Sequence, residues 1–162
     1  MRLICVGLVV FLLVGAGVCA ARVSPEQAAA AAKYQRLAIV CVPGTGADPK
    51  YAPMLLKETE KMVPSGLGFL QKVDCLSDVP VDLSTIPPTV QLKNKGDYDG
   101  VLVLVYSTVG NMVLLDMTLV DTNTGAKVWS HQLVTKDSDV QGRLMRHGYW
   151  VPTTVKQHFY GK

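Results

Sequence analysis

Residues 101–134 read VLVLVYSTVGNMVLLDMTLVDTNTGAKVWSHQLV, and their periodicity decides the fold. Val101 to Tyr106 is an unbroken apolar run, the pattern of a strand buried on both faces. Gly110-Asn111 then turns the chain. From Met112 to Val120 the pattern alternates, with Val113, Leu115, Met117 and Leu119 on one face and Leu114, Asp116, Thr118 and Val120 on the other. Asp121 to Lys127 forms the next reversal, in which Gly125 supplies the positive φ that such loops need. Lys127 to Val134 completes a three-strand antiparallel meander.

Upstream, Leu37 to Val42 is a second wholly apolar run, ending at Pro43-Gly44. A loop, Gly44 to Pro49, leads into Tyr51–Val63, where Leu55, Leu56, Thr59, Met62 and Val63 share one helical face. Pro64-Ser65-Gly66 is expected to stop that helix. Phe69 to Cys75 alternates as a strand, so strand, helix and strand make a βαβ unit with parallel neighbours. Asp78 to Pro88 is a proline-punctuated connection that no central strand tolerates. Thr89 to Lys95 is expected to be a short helix ending at Gly96. The C-terminal segment carries Val140, Leu144, Met145, Tyr149, Trp150, Val155 and Phe159 and reads as partly helical, interrupted at Gly148 and Pro152. The expected fold is therefore α/β (α+β): a mixed sheet, βαβ then antiparallel meander, with helices packed on it. Residues 36–162 form its single domain.

Residues 1–21 read as a signal peptide. Arg2 gives the positive start, Leu3 to Val14 the apolar run, and Val18-Cys19-Ala20 or Cys19-Ala20-Ala21 the small residues before a cut after Ala20 or Ala21. An uncleaved membrane anchor is the second reading, since the apolar stretch approaches the roughly 20 residues that span a bilayer. A third is lipidation at Cys19, against which stands the bulky Val18. Either alternative would give membrane contact through the N-terminus. Residues 22–35 form an Ala-rich leader in which Ser24 and Pro25 suit a helix start. So few large apolar residues bury little.

Export leaves Cys41 and Cys75, which can form a disulfide or remain buried thiols. The chain has no CxxC, so a thiolate metal site and redox catalysis lack support. Hydrophobic residues make up 49% and charged residues 18% of the chain, a composition that supports a packed core. The formal net charge of +3 is small and comes with no basic run interleaved with aromatics, which argues against nucleic acid as a partner.

Few residues suggest chemistry. The Gly44-Thr45-Gly46 loop lacks both a third Rossmann glycine, since position 49 is Pro, and a Walker lysine, so a plain strand-to-helix connection is preferred. His131, His147 and His158 have no i, i+4 pairing. His147, Tyr149 and Trp150 form a candidate interaction surface, with docking of the C-terminal aromatics on the sheet as the alternative. Asp116 reads as solvent-facing. No nucleophile–base pattern and no paired carboxylates stand out, so no catalytic residue, cofactor or metal ligand is assigned.

The order of these features, with Phe69-Leu70-Gln71-Lys72-Val73-Asp74, Ile86-Pro87-Pro88, Asp97-Tyr98-Asp99-Gly100 and Leu119-Val120-Asp121-Thr122-Asn123-Thr124-Gly125-Ala126-Lys127-Val128-Trp129, resembles a superfamily of bacterial envelope domains. It includes the N-terminal domain of TolB, the curli-secretion lipoprotein CsgG and the penicillin-binding-protein activator LpoB. The hairpin is the most specific piece, and the resemblance covers residues 36–135. It implies a non-enzymatic periplasmic or outer-membrane-associated module that docks on other envelope proteins. No family site residue maps onto this chain, and the lack of long alternating segments removes pore formation from what the resemblance implies. A homo-oligomer is compatible with this reading. The alternative is a periplasmic small-ligand binder or hydrolase that uses the loop after the first strand.

Overall fold

A computed structural model describes residues 24–110, 112–136 and 140–162. The expected signal peptide and Cys19 lie outside them.

The elements run α1 (Pro25–Lys33), β1 (Arg36–Pro43), α2 (Tyr51–Leu67), β2 (Lys72–Cys75), β3 (Val81–Asp82), β4 (Thr89–Val90), β5 (Gly100–Val109), β6 (Met112–Asp121), β7 (Lys127–Lys136) and α3 (Val140–Thr154). A 3-10 turn over Lys95–Asp97 precedes β5, and a π-helical turn over Val155–Phe159 follows α3. The main sheet has the order β2-β1-β5-β6-β7. Its first three strands are parallel and the last two pairings antiparallel, which is the mixed sheet expected from the sequence.

The apolar strands β1 and β5 sit at the centre, where neither face can meet water. Leu37 and Ile39 of β1, with Leu102, Leu104 and Tyr106 of β5, point to one side. There they meet Leu55, Leu56 and Leu67 of α2 and Leu144 and Val151 of α3, and the β6 residues Val113, Leu115, Met117 and Leu119 join them. Each such side chain contributes about 1.5–3 kcal/mol when fully buried. Ala38, Val40, Val101 and Val103 point to the opposite side. No helix among the described residues covers them. Their cover is the irregular chain between β2 and β5, through Leu76, Val79, Val81, Val90, Leu92 and Tyr98. Beyond that cover, Val109, Met112 and Val134 stay 53, 41 and 55% exposed.

Four local expectations are corrected. Thr89–Lys95 is not a helix: Thr89 and Val90 pair with Asp82 and Val81, and Gln91 N–H donates to the Pro80 carbonyl. β-branched residues after a proline gain more from that pairing than from one isolated helical turn. The second strand is shorter than expected, starting at Lys72 because Phe69 and Leu70 still belong to the turn after α2, where Leu70 N–H bonds to Leu67. α2 runs through Pro64 to Leu67, and α3 through Gly148 and Pro152. The fully buried Leu67, Val151 and Val155 anchor the chain beyond Pro64, Gly148 and Pro152 respectively, so tertiary burial outweighs a lost backbone bond.

Gly148 has a packing role. A Cβ placed there would lie 2.6 Å from Glu58 Cβ and 2.8 Å from the Glu58 carbonyl carbon on α2. Backbone cannot rotate away, so a methyl group would force the helices apart. Gly148→Ala is therefore expected to destabilise the fold by about 1–3 kcal/mol, more than the ~1 kcal/mol gained in helix propensity. Urea unfolding checks this; an unchanged or raised midpoint would contradict the close crossing.

Candidate functional site: an open sheet edge between two grooves

Among the described residues β2 is one edge of the sheet, paired to β1 alone. Lys72 and Leu76 donate their N–H groups inward, to the carbonyls of Gln35 and Ile39. Alternation along a strand turns the N–H groups of Val73 and Cys75 outward, towards the open side. Side chains alternate in the orthogonal direction, and each side holds a groove. On the helix side Glu60, Val63 and Pro64 of α2 face Val73 and Cys75 across about 440 Å³. On the other, Leu76, Val79 and Pro80 face Leu92 and Tyr98 across about 390 Å³.

The edge carries its own charges. Lys72 Nζ lies 3.3 Å from Asp74 and 4.6 Å above the Tyr98 ring, and Tyr98 donates a 2.6 Å hydrogen bond to Asp74. Burial, then that carboxylate, pushes the Tyr98 phenol up to about 12. A lysine and a short length are two ways sheet edges avoid indiscriminate pairing. β7, the opposite edge, runs for ten residues, Lys127–Lys136, and among the described residues pairs to β6 alone.

Two carboxylates pin the chain around this scaffold. Asp99, just before β5, accepts the N–H groups of Gln35 and Arg36 at 3.0 and 2.8 Å and the Arg36 guanidinium at 2.6 Å. Burial alone would raise its pKa; the Arg36 bonds more than offset this and lower it. Asp121, at the end of β6, accepts Lys33 Nζ at 2.6 Å and the Tyr34 hydroxyl at 2.8 Å, and its other oxygen takes the Asn123 and Thr124 N–H groups. The Lys33 bond is the largest of the influences that hold this carboxyl well below the usual range. The Ala-rich leader is thereby docked: Lys33 and Tyr34 tie its end to the meander, and Ala31 and Tyr34 are buried. Sequence reasoning passed over both aspartates as chemistry. Their signal was present in the Asp97–Gly100 and Asp121–Gly125 motifs, and their work is structural.

Cys41 and Cys75 are free thiols on adjacent strands, both facing the helices. Burial pushes each up to about 12, and Cys75 adds to the effect on Cys41. His147, Tyr149 and Trp150 do not share a surface. His147 and Trp150, three residues apart, lie on neighbouring positions of α3 with ring centroids 5.8 Å apart, His147 fully buried and Trp150 half-buried, whereas Tyr149 turns away to solvent. His131 and His158 do come together, their rings stacked at 4.7 Å, with Trp129 stacked 5.9 Å from His131. Asp116 is half-buried and accepts the Gln132 amide. The Gly44–Gly46 loop is clipped to β5: Gly44 N–H donates to the Tyr106 carbonyl and Thr108 N–H to that of Thr45.

No protein-family model matches the chain, and no curated protein matches its sequence. Solved structures do match. The PelC dodecamer from Paraburkholderia phytofirmans superposes with a TM-score of 0.52 and 14% identity, over 76% of this chain and 89% of that one. TolB from Acinetobacter baumannii gives 0.46 and 13%, over 78% of this chain and 28% of TolB. The C-terminal domain of LpoB from Escherichia coli gives 0.38 and 16%, over 65% and 85%. The mixed α/β fold of this chain is thus the fold of PelC. Among the described residues no helix is long and apolar enough to cross a membrane.

The buried His147 makes stability depend on pH. Burial, then Arg143 and Arg146, lowers its pKa to about 4, against about 6.5 when unfolded. The unfolded chain then binds more protons between these values, so the contribution is complete above pH 6.5 and is lost as pH falls towards 4. A shift of this size corresponds to roughly 3 kcal/mol. Urea midpoints measured from pH 7 to 4.5 should fall, and should fall less in His147→Gln; equal slopes would contradict it.

Proposed function

We propose that this chain is an exported cell-envelope protein, periplasmic or outer-membrane-associated, that works by docking on other envelope proteins and not by catalysis. The observation that carries the reading is the open β2 edge, with outward N–H groups on the strand and a groove on either side. That is what addition of an extended segment requires: main-chain hydrogen bonds supply affinity, and alternate side chains entering opposite grooves supply specificity. The exposed Val109, Met112 and Val134 extend the surface available to a partner. Export is supported by the leader pattern in residues 1–21. Assembly is supported by the fold shared with PelC, whose structure is a dodecamer, so copies of this chain are themselves partners to look for.

Photo-crosslinking from the exposed Glu60, beside β2, in intact cells tests the reading. Captured envelope proteins, or a second copy, are expected. Val73→Pro, which removes one outward N–H, should reduce capture at least severalfold while the circular dichroism of the purified protein stays unchanged. Recovery of no envelope protein, or equal capture by a folded Val73→Pro variant, would contradict it.

A further inference from the structure

Three buried side-chain atoms have no hydrogen-bond partner among the described residues: Tyr106 Oη, Arg143 Nε and His147 Nδ1. They belong to one cluster. Tyr106 stands opposite Pro43, the last residue of β1, so it lies at the carboxyl end of the parallel strands. Arg143 and His147 are one turn apart and share a face of α3. The Tyr106 and His147 rings meet edge-on with centroids 6.2 Å apart, and the Arg143 charge acts on both groups. Tyr106 and His147 are 0% exposed and Arg143 8%.

The chemistry of the cluster is one-sided. Thr135 Oγ1 lies 3.1 Å from His147 Nε2. With the Thr135 hydroxyl donating to Nε2, the proton of the neutral ring sits on Nδ1 and makes it a donor; with Nε2–H donating to Thr135, Nδ1 is an acceptor. Arg143 Nε is always a donor, and the Tyr106 hydroxyl has a proton to give. Arg143 Nε and the Tyr106 hydroxyl, joined by His147 Nδ1 in the first tautomer, therefore meet no acceptor among the described residues, and the buried Arg143 forms no ion pair among them. An unpaired buried charge is costly, and a buried donor left unmade forfeits about 1–3 kcal/mol. Water answers only part of this demand, because it brings two protons of its own and no charge. An oxyanion presents acceptors only, and its charge opposes that of arginine.

We propose that Tyr106, Arg143 and His147 form a binding site for a small oxyanion, the carboxylate or phosphate group of a ligand. Its location fits, since open α/β sheets bind ligands outside the carboxyl ends of their strands. The site is separate from the β2 edge and owes nothing to the docking role.

The test uses the full mature chain. Its thermal midpoint is followed against sodium phosphate and, separately, sodium acetate, with sodium chloride holding ionic strength constant. In parallel, the ring nitrogens of His147 are observed by NMR. At least one anion should raise the midpoint with saturation and shift His147 Nδ1, and the anion that does so distinguishes phosphate from carboxylate. Tyr106→Phe, which keeps the ring packing, should weaken the apparent affinity about tenfold, and Arg143→Met should abolish the effect. If neither anion acts beyond chloride, the proposal is overturned. It is equally overturned if the midpoint rises while His147 is unmoved, which would mean an anion bound elsewhere, or if folded Tyr106→Phe and wild type respond alike.

Discussion

The structure depends on one constraint: β1 and β5 are apolar on both faces and must be covered twice. Two helices with apolar stripes, α2 and α3, together with α1, cover one face. No helix among the described residues remains for the other, so the proline-rich connection between β2 and β5 is drawn across it, and Tyr98, Val79, Val90 and Leu92 act as a thin second layer. That layer ends before the hairpin between β5 and β6. An open edge at β2, a groove under the connection and a partly bare far corner all follow from covering a two-sided sheet with one layer of helices and one loop.

The regions legible in the sequence were those with a strict period. Alternation along β6 placed Val113, Leu115, Met117 and Leu119 in the core and Asp116 outside it, because a strand that buries one face leaves no freedom in register. The two apolar runs gave the sheet centre for the same reason. What was not legible depended on distant partners. Pro64 and Pro152 read locally as breakers, yet burial of Leu67 and Val155 carries each helix past them. The Ala-rich leader looks self-insufficient, and becomes fixed only because Asp121, over eighty residues away, accepts both Lys33 and Tyr34. His147 reads as a surface histidine beside aromatics, but the face it occupies on α3 is set by the Gly148 crossing with α2.

The aspartate motifs at Asp97–Gly100 and Asp121–Gly125 turn out to be clamps. Asp99 seals the entry to β1 and β5 through Arg36. Asp121 forms the turn after β6 and holds α1, and the Thr122 hydroxyl donates to the Tyr98 carbonyl. These residues close the sheet at the end where strands β1 and β5 begin. These aspartates serve the fold, while the open surface, at β2 and around Val109, Met112 and Val134, is built from other residues. Sequence resemblance of this kind therefore speaks to architecture first and to function only through the surface that the architecture leaves open.

Amide hydrogen exchange measured strand by strand on the dilute, purified chain addresses the central claim most directly. Amides of β1 and β5 should exchange only through global unfolding, while the outward amides of Val73 and Cys75 exchange orders of magnitude faster and slow down when a captured partner is present. Protection at β2 equal to that of β5 in the free chain would show the edge to be closed, and would contradict the account.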